Sequence, residues 1–235
     1  MRACVNRDSE AGARRCALVI ALSMLAFFGL IAAAMWLYPG GNWLDRGAPG
    51  HRFFANYFCD LTQPNSLSGV ENPLGSRFAQ LAMVNFAAAL AAFFWLVPRY
   101  FAPAVQRARA WTRALGESAV LGFLAVPFTP SELFGDVHAW LSLLSGGLGL
   151  AAALCAVRGL LRSQGLARAL GIVGVLTLLT GGVHAVLFVR SMHASEPAPL
   201  IVPAVQKLAA ALLSGWMLGV AWLTLRTHPS RPGRR

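Results

Sequence analysis

Residues 16–38, CALVIALSMLAFFGLIAAAMWLY, form an apolar run without a single charged side chain. A helix needs about 20 mainly apolar residues to cross a hydrocarbon core of roughly 30 Å, so this run is long enough to span a membrane. The triplet Ala32-Ala33-Ala34 also resembles the cleavage site of a signal peptide. Because the apolar part of a signal peptide is typically only about 7 to 15 residues long, an uncleaved first span is the favoured interpretation.

Five further apolar runs follow along the chain. The six predicted spans are residues 16–38, 78–97, 114–128, 137–157, 169–189 and 204–225. The third run is the weakest, because it is short and contains Glu117. We therefore expect an all-α polytopic membrane protein, a bundle of six transmembrane helices in which a long external loop, residues 39–77, joins spans 1 and 2.

The composition disfavours an ordinary soluble domain. Only 12% of the residues are charged and 57% are hydrophobic, whereas soluble domains carry about a quarter charged residues. The net charge of +11 is compatible with a nucleic-acid partner, but the aromatic residues lie inside the apolar runs and not among the basic ones. Single-stranded nucleic acid is bound by basic grooves that contain stacking aromatics, so we expect no nucleic-acid partner.

The distribution of basic residues predicts the orientation. Lys and Arg in short loops are retained on the cytoplasmic side of a membrane. Fifteen of the 20 basic residues fall in segments that six spans starting inside would leave in the cytoplasm. We therefore expect a multi-pass protein of the bacterial cytoplasmic membrane, with a basic N-terminus, residues 1–15, and a basic tail, residues 226–235, both cytoplasmic.

The external loop contains an aromatic stretch, HRFFANYFCDL at residues 51–61. Its aromatic and aliphatic positions recur at helical spacing, which predicts a short amphipathic helix. Such a helix would lie in the membrane interface or cap the bundle.

Ionisable residues inside a span normally face the bundle interior or a wet cavity, because they are costly in lipid. Thr129 and Glu132 match a capping box with Pro130 at the first helical position, which predicts that the fourth helix begins there. His138 would then lie about two turns into that helix. Glu132 and Lys207 are expected as neighbours of the candidate site. The candidate site residues near the external face are Asp60, Asp136, His138 and His184.

These two histidines and two carboxylates could hold zinc or another divalent metal with an open position for water. They could also act as acid and base without a metal. The spacing establishes neither role, because HExxH is absent and no two histidines are four residues apart. A hydrogen-bonded polar cluster that joins the helices is the alternative. The sequence requires no cofactor.

Short motifs around these residues carry a resemblance to a known family. They are YPGGN at 38–42, FCDL at 58–61, ENPLGSRFAQ at 71–80 and VPFTPSELFGDVHAWLS at 126–142. The chain resembles the bacterial six-span membrane family catalogued as domain of unknown function 998. The matching positions are Asp60-Leu61, Asn72, Gly75, Phe128 to Asp136, and His138. The aromatic stretch at 43–58 departs from the family's pattern. The resemblance implies a compact six-helix bundle in a bacterial cytoplasmic membrane and, because the family's function is unknown, no reaction.

Three functions remain open at this point. A lipid- or partner-binding membrane bundle needs the fewest additional features, and its partners would be the bilayer, a second copy of the chain or another membrane protein. The alternative is a membrane-embedded hydrolase that acts on lipid-linked substrates at the outer leaflet through the four candidate residues. The third is a small transporter. Glu117 could relay protons in it, but an ion pair with Arg113, four residues earlier, is the favoured interpretation of Glu117.

Overall fold

The computed structural model describes residues 2–193 and 201–227, with side chains from Glu10 onward. Within these ranges the chain is helical and contains no β-strand, which confirms the predicted all-α class. The helices are α1 Arg2–Leu37, α2 Pro73–Leu96, α3 Gln106–Ala125, α4 Ser131–Phe134, α5 Asp136–Leu161, α6 Gly165–Met192 and α7 Ile201–Thr227. Three short 3-10 helices lie at Cys59–Thr62, Val97–Tyr100 and Val126–Phe128.

Five of these helices are long and apolar enough to cross a membrane. They are α1 from Glu10, α2 extended to Tyr100, α5, α6 and α7. Helix α3, which contains the third predicted span, is not among them, and it carries four charged residues, Arg107, Arg109, Arg113 and Glu117. It begins at Gln106, eight residues before the predicted start of that span.

Helix α3 nevertheless lies along the bundle, between α2 and α5. The pairs in contact are Phe86 with Phe123, Phe94 with Gly116, Gly122 with Ser145, and Ala119 with Gly149. For each pair of helices, the contact made by the later residue of one helix involves the earlier residue of the other. Helix α3 is therefore antiparallel to both of its neighbours.

The remaining long helices continue the same alternation. Gly171 and Gly181 of α6 lie against Leu160 and Leu150 of α5, respectively. Helix α7 then returns along α6, where a Cβ at Gly174 would lie 2.6 Å from the ring of Trp216. Helix α7 also packs against α1, so the six long helices form a closed ring.

The start of α1 and the end of α7 lie at one end of this ring. Many arginines lie there too, and we call it the basic end. The Tyr100 hydroxyl after α2 lies 2.7 Å from the Thr224 hydroxyl near the end of α7. Gly12 of α1 lies against Trp95 of α2. Arg109 donates a 2.8 Å hydrogen bond to the Phe101 carbonyl at the same end. The largest fully buried side chains include Phe93, Phe94, Leu96, Leu160 and Trp216, so this half of the bundle is closely packed.

The predicted start of the fourth helix is wrong. The Thr129 hydroxyl donates to the carbonyls of Ala125 and Val126 and makes no helix cap. Only one turn, α4, follows Pro130, and the chain then breaks at Gly135, whose φ is +51°. Because L side chains rarely adopt this conformation, glycine suits the break. Helix α5 begins at Asp136, so His138 lies in its first turn.

The amphipathic helix predicted at residues 51–61 is also wrong, because this stretch contains only turns and the 3-10 helix at Cys59–Thr62. The Asn56 side chain accepts a 2.9 Å hydrogen bond from the Arg52 amide. Asp60 similarly accepts a 2.7 Å bond from the Tyr57 amide. These local bonds compete with the backbone pattern of an α-helix. They favour turns over the α-helix that the spacing of the aromatic residues predicts.

Candidate functional site

Residues 38–72, which we call the cap, cover the end of the bundle opposite the basic end. The chain turns back at Gly41, whose φ is +84°. A Cβ at this position would lie 2.4 Å from the backbone nitrogen of Ser68, so only glycine fits. The Leu67 amide donates a 2.9 Å hydrogen bond to the Tyr38 hydroxyl. The middle of the cap is thus held against Tyr38, the residue that follows α1.

Asp60 is the buried centre of the cap and is only 1% exposed. One carboxylate oxygen accepts a 3.1 Å hydrogen bond from the Trp43 indole. The other accepts bonds from the Tyr57 amide at 2.7 Å and from the Asn56 side chain at 3.4 Å. Burial raises the pKa of Asp60 to about 6, although these hydrogen bonds and the positive charge of Lys207 act in the opposite direction.

Lys207 reaches this centre from the second turn of α7 and is 4% exposed. Its ammonium group donates a hydrogen bond to the backbone carbonyl of Asn56. The nitrogen also lies 4.5 Å from the ring centroid of Phe58 and 5.6 Å from that of Phe53, close enough for cation–π attraction. Beside it, the Gln206 side chain accepts a 2.9 Å bond from the Phe58 amide. Helix α7 is therefore tied to the cap by two consecutive side chains.

His51 belongs to the same region of the cap. Its ring packs edge-on against Tyr38, with centroids 5.9 Å apart. Burial, followed by the nearby charge of Lys207, lowers the pKa of His51 to about 4. Its buried Nε2 atom has no hydrogen-bond partner among the described residues. The imidazole is therefore neutral at pH 7.

A second junction joins the cap to the connection between α3 and α5. The Gln63 side chain donates a 2.9 Å bond to the Ser131 hydroxyl and accepts a 3.1 Å bond from the Glu132 amide. The Asn65 side chain donates a 2.6 Å bond to the Glu132 carboxylate. Glu132, which was expected near the candidate site, is thus a structural partner of the cap.

The two membrane histidines form no hydrogen bond with Asp60 among the described residues, although His184 lies within electrostatic range of Lys207. His138 is buried, and its Nδ1 atom lies 2.7 Å from the Thr129 carbonyl, so it fastens the start of α5 to the preceding connection. His184 is partly buried and packs on Phe188, with ring centroids 6.0 Å apart. Its Nδ1 atom has no hydrogen-bond partner in the described ranges.

Asp136 is exposed at the start of α5. Over residues 2–193 and 201–227, no group of three or more His, Cys, Asp and Glu side chains is arranged to hold a metal ion. Of the residues named from the sequence, Asp60 and Lys207 are brought together, through Asn56. The role of the four candidates in catalysis or metal binding stays a prediction.

Sequence reasoning missed Trp43, His51 and Asn56. The motif NYFCD contained a usable signal, because Asn and Asp four residues apart often bond local backbone amides and disfavour a helix. No comparable signal existed for Trp43, whose indole is brought to Asp60 by the turn between them.

An open groove lies beside the cap at the start of α2, with a volume of about 400 Å³. Its lining residues are Pro64, Asn65, Glu71, Pro73, Ser76, Arg77 and Gln80. Glu71 and Arg77 are exposed and carry opposite charges. Neither side chain forms a hydrogen bond or ion pair with any residue that the structure describes.

Comparison of the chain with protein-family models, with curated proteins and with solved structures found no match. The resemblance to the six-span family therefore stays a prediction.

Proposed function

We propose that the chain is a six-span integral membrane protein whose cap and adjoining groove bind a membrane lipid or another membrane protein. The observation that carries this proposal is the double attachment of the cap. Lys207 holds it to α7, and Gln63 holds it to the connection between α3 and α5. A surface fixed from two sides is suited to recognition, because little ordering is required when a partner binds.

The six-span topology is supported by the position of α3. Its 20 residues correspond to about 30 Å of helix, which is the thickness of a hydrocarbon core. Its arginines are concentrated toward the basic end, where Arg109 bonds the Phe101 carbonyl. Arg113 lies over the Trp95 ring, 5.5 Å from the centroid. Long basic side chains at a span end can reach the membrane surface while their stems stay in apolar surroundings.

The orientation follows from the same distribution of charge. We place the basic end in the cytoplasm, because Lys and Arg in short loops are retained there. The cap then faces the outside of a bacterial cytoplasmic membrane. Both chain ends are cytoplasmic in this arrangement.

Binding is better supported than hydrolysis because the ionisable candidates already have structural partners. Both oxygens of Asp60 accept hydrogen bonds inside the cap. One ring nitrogen of His138 is used by the Thr129 carbonyl. The transporter hypothesis has less support, since Glu117 is exposed on the surface of α3 and is not part of a buried polar path.

Ligand retention tests this proposal. The full chain is extracted from its membrane in mild detergent and analysed by native mass spectrometry for bound lipid or protein. We expect the wild type to retain a ligand and Lys207→Met to lose most of it, because the cap then loses its buried bond to α7 and keeps only the bond to Gln206. Leu208→Met, at an exposed position beside Lys207, is the matched control and should retain the ligand.

Complete loss of lipid and protein partners from the wild type would contradict the proposal. Equal retention by the wild type and Lys207→Met would contradict the role of the fixed cap. Turnover of added lipid by the wild type, abolished in Asp60→Asn, would favour the hydrolase alternative.

A further inference from the structure

We infer that the groove at the start of α2 binds the head group of a zwitterionic phospholipid, with Arg77 contacting the phosphate and Glu71 the ammonium. This inference rests on the proposed lipid-binding function and names the class of lipid. It concerns the groove, which contains none of the four candidate residues that the sequence singled out.

The groove contains two side chains of opposite charge. Glu71 and Arg77 line one groove, yet among the described residues neither has a polar side-chain partner. A phosphate is matched by the planar donor set of an arginine, and an ammonium by a carboxylate. A ligand that carries both groups would satisfy both side chains at once.

The neighbouring carboxylate is already engaged. Both oxygens of Glu132 accept hydrogen bonds from Asn65, one from its amide side chain and one from its backbone. Ser76 also has a partner, since its hydroxyl donates to the Pro73 carbonyl. Glu71 is therefore the lining carboxylate that is available to an ammonium group.

The depth of Arg77 along α2 also suits a lipid head group. The apolar helix begins at Pro73, and Arg77 lies four residues further, or about 6 Å along the axis. This position corresponds to the head-group layer of a bilayer, where arginine side chains are favourable. A soluble zwitterion would not require the site to lie at this depth.

An apolar surface continues from the groove along α2. Leu74 and Leu81 lie three residues before and four residues after Arg77, which places all three on one face of α2. Both leucines are more than half exposed. An acyl chain can therefore lie along Leu81 while its head group contacts Arg77, an arrangement that identifies the ligand as a lipid.

The test uses the full-length protein with an equimolar mixture of phosphatidylethanolamine and phosphatidylglycerol, quantified by native mass spectrometry. We expect the wild type to retain more phosphatidylethanolamine. Arg77→Gln should lower retention of both lipids by about tenfold, because both contain the phosphate. Glu71→Gln should lower retention of phosphatidylethanolamine by about three- to fivefold and leave phosphatidylglycerol unchanged. Arg190→Gln, an exposed arginine near the end of α6 and outside both the cap and the groove, is the control and should match the wild type.

The possible outcomes separate this inference from the proposed function. Lipid retention that is unchanged in Arg77→Gln and Glu71→Gln would overturn the groove assignment while leaving lipid binding intact. An unchanged ratio of the two lipids in Glu71→Gln would overturn the zwitterionic specificity. Absence of retained lipid in every variant, the wild type included, would remove the proposed lipid binding itself. Displacement of the lipid by an equal concentration of soluble glycerophosphoethanolamine would overturn the assignment to a lipid.

Discussion

The ammonium group of Lys207 is bonded to the backbone carbonyl of Asn56, 151 positions earlier in the chain. The same asparagine donates its side-chain amide to Asp60 and to the Gly41 carbonyl. A single residue thus connects the buried cation of α7 with the buried acid of the cap. This contact is one of the bonds that attach the cap to the bundle, together with those of Gln206 and Gln63.

Lys207→Met should loosen the cap. The substitution keeps an apolar chain of similar length, removes the donor to the Asn56 carbonyl and leaves Asp60 without its nearby positive charge. We expect a loss of about 1–3 kcal/mol in the free energy of unfolding. Hydrogen exchange at residues 52–62 should become faster, as measured by mass spectrometry. Leu208→Met should leave exchange there unchanged, and the account would be wrong if both variants behaved alike.

The raised pKa of Asp60 predicts a pH dependence of stability. Between its ordinary pKa of 3.8 and its folded pKa of about 6, the native state holds a proton that the unfolded chain has released. The contribution of Asp60 to stability is therefore greatest at low pH and falls as the pH rises from about 4 to about 6. The fall is at most about 3 kcal/mol. It should appear as a pH-dependent difference between the unfolding free energies of the wild type and Asp60→Asn.

His51 provides a control of opposite sign. Its pKa is lowered from 6.5 to about 4, so in this interval the unfolded chain holds a proton that the native state lacks. The contribution of His51 to stability thus rises with pH between about 4 and 6.5. The difference between the wild type and His51→Gln should have the reverse slope. Parallel curves for the wild type, Asp60→Asn and His51→Gln would contradict both assignments.

His138 and Asp136 should differ in their effect on stability. His138→Ala removes the partner of the Thr129 carbonyl and should cost about 1–3 kcal/mol of unfolding free energy. Asp136 is exposed, and Asp136→Asn should change stability by no more than about 0.5 kcal/mol. Thermal unfolding in detergent measures both. A similar cost for the two variants would mean that His138 does not hold the start of α5 in place.

The close contact between α2 and α3 predicts a large effect for a small substitution. A Cβ at Gly116 would lie 2.3 Å from Cγ of Phe94, so Gly116→Ala should cost about 1–3 kcal/mol of unfolding free energy. Gly147→Ala is the control, because no atom lies within 4 Å of its Cβ position. This control should be neutral or stabilising by up to about 1 kcal/mol, as expected for alanine in a helix. Equal stability of both variants would indicate that α3 does not pack on α2 as described.

Much of the helical architecture was predictable because it depends on local composition. The predicted span 137–157 lies inside α5 and the predicted span 169–189 lies inside α6. Apolar length identifies such helices without knowledge of their neighbours. Helix α3 was harder to predict, because the charged residues in its first half lower its mean hydropathy. Its position is determined by contacts with α2 and α5.

The cap was only partly predictable. The sequence analysis named Asp60 as a candidate site residue, but its partners Trp43 and Asn56 were missed, and the helix expected at 51–61 does not form. Hydrogen bonds between residues distant in the chain, such as Lys207 with Asn56, have no periodicity that a sequence displays. The groove was likewise not predictable, since Glu71 and Asn65 face it only after a turn brings them together.

The most direct test of the account is the sidedness of the two ends of α3. Leu133, which is 69% exposed, follows α3, and Arg107 lies at the start of α3. Each residue is replaced by cysteine in a separate variant, Leu133→Cys or Arg107→Cys. Intact cells that express each variant are treated with a membrane-impermeant maleimide, and the unsubstituted chain measures the background from its own cysteines. Val70→Cys reports the cap.

We predict that Leu133→Cys and Val70→Cys are labelled in intact cells and that Arg107→Cys is labelled only after permeabilisation. Labelling of Leu133→Cys and Arg107→Cys from the same side would mean that α3 does not cross the membrane, and would contradict the six-span arrangement.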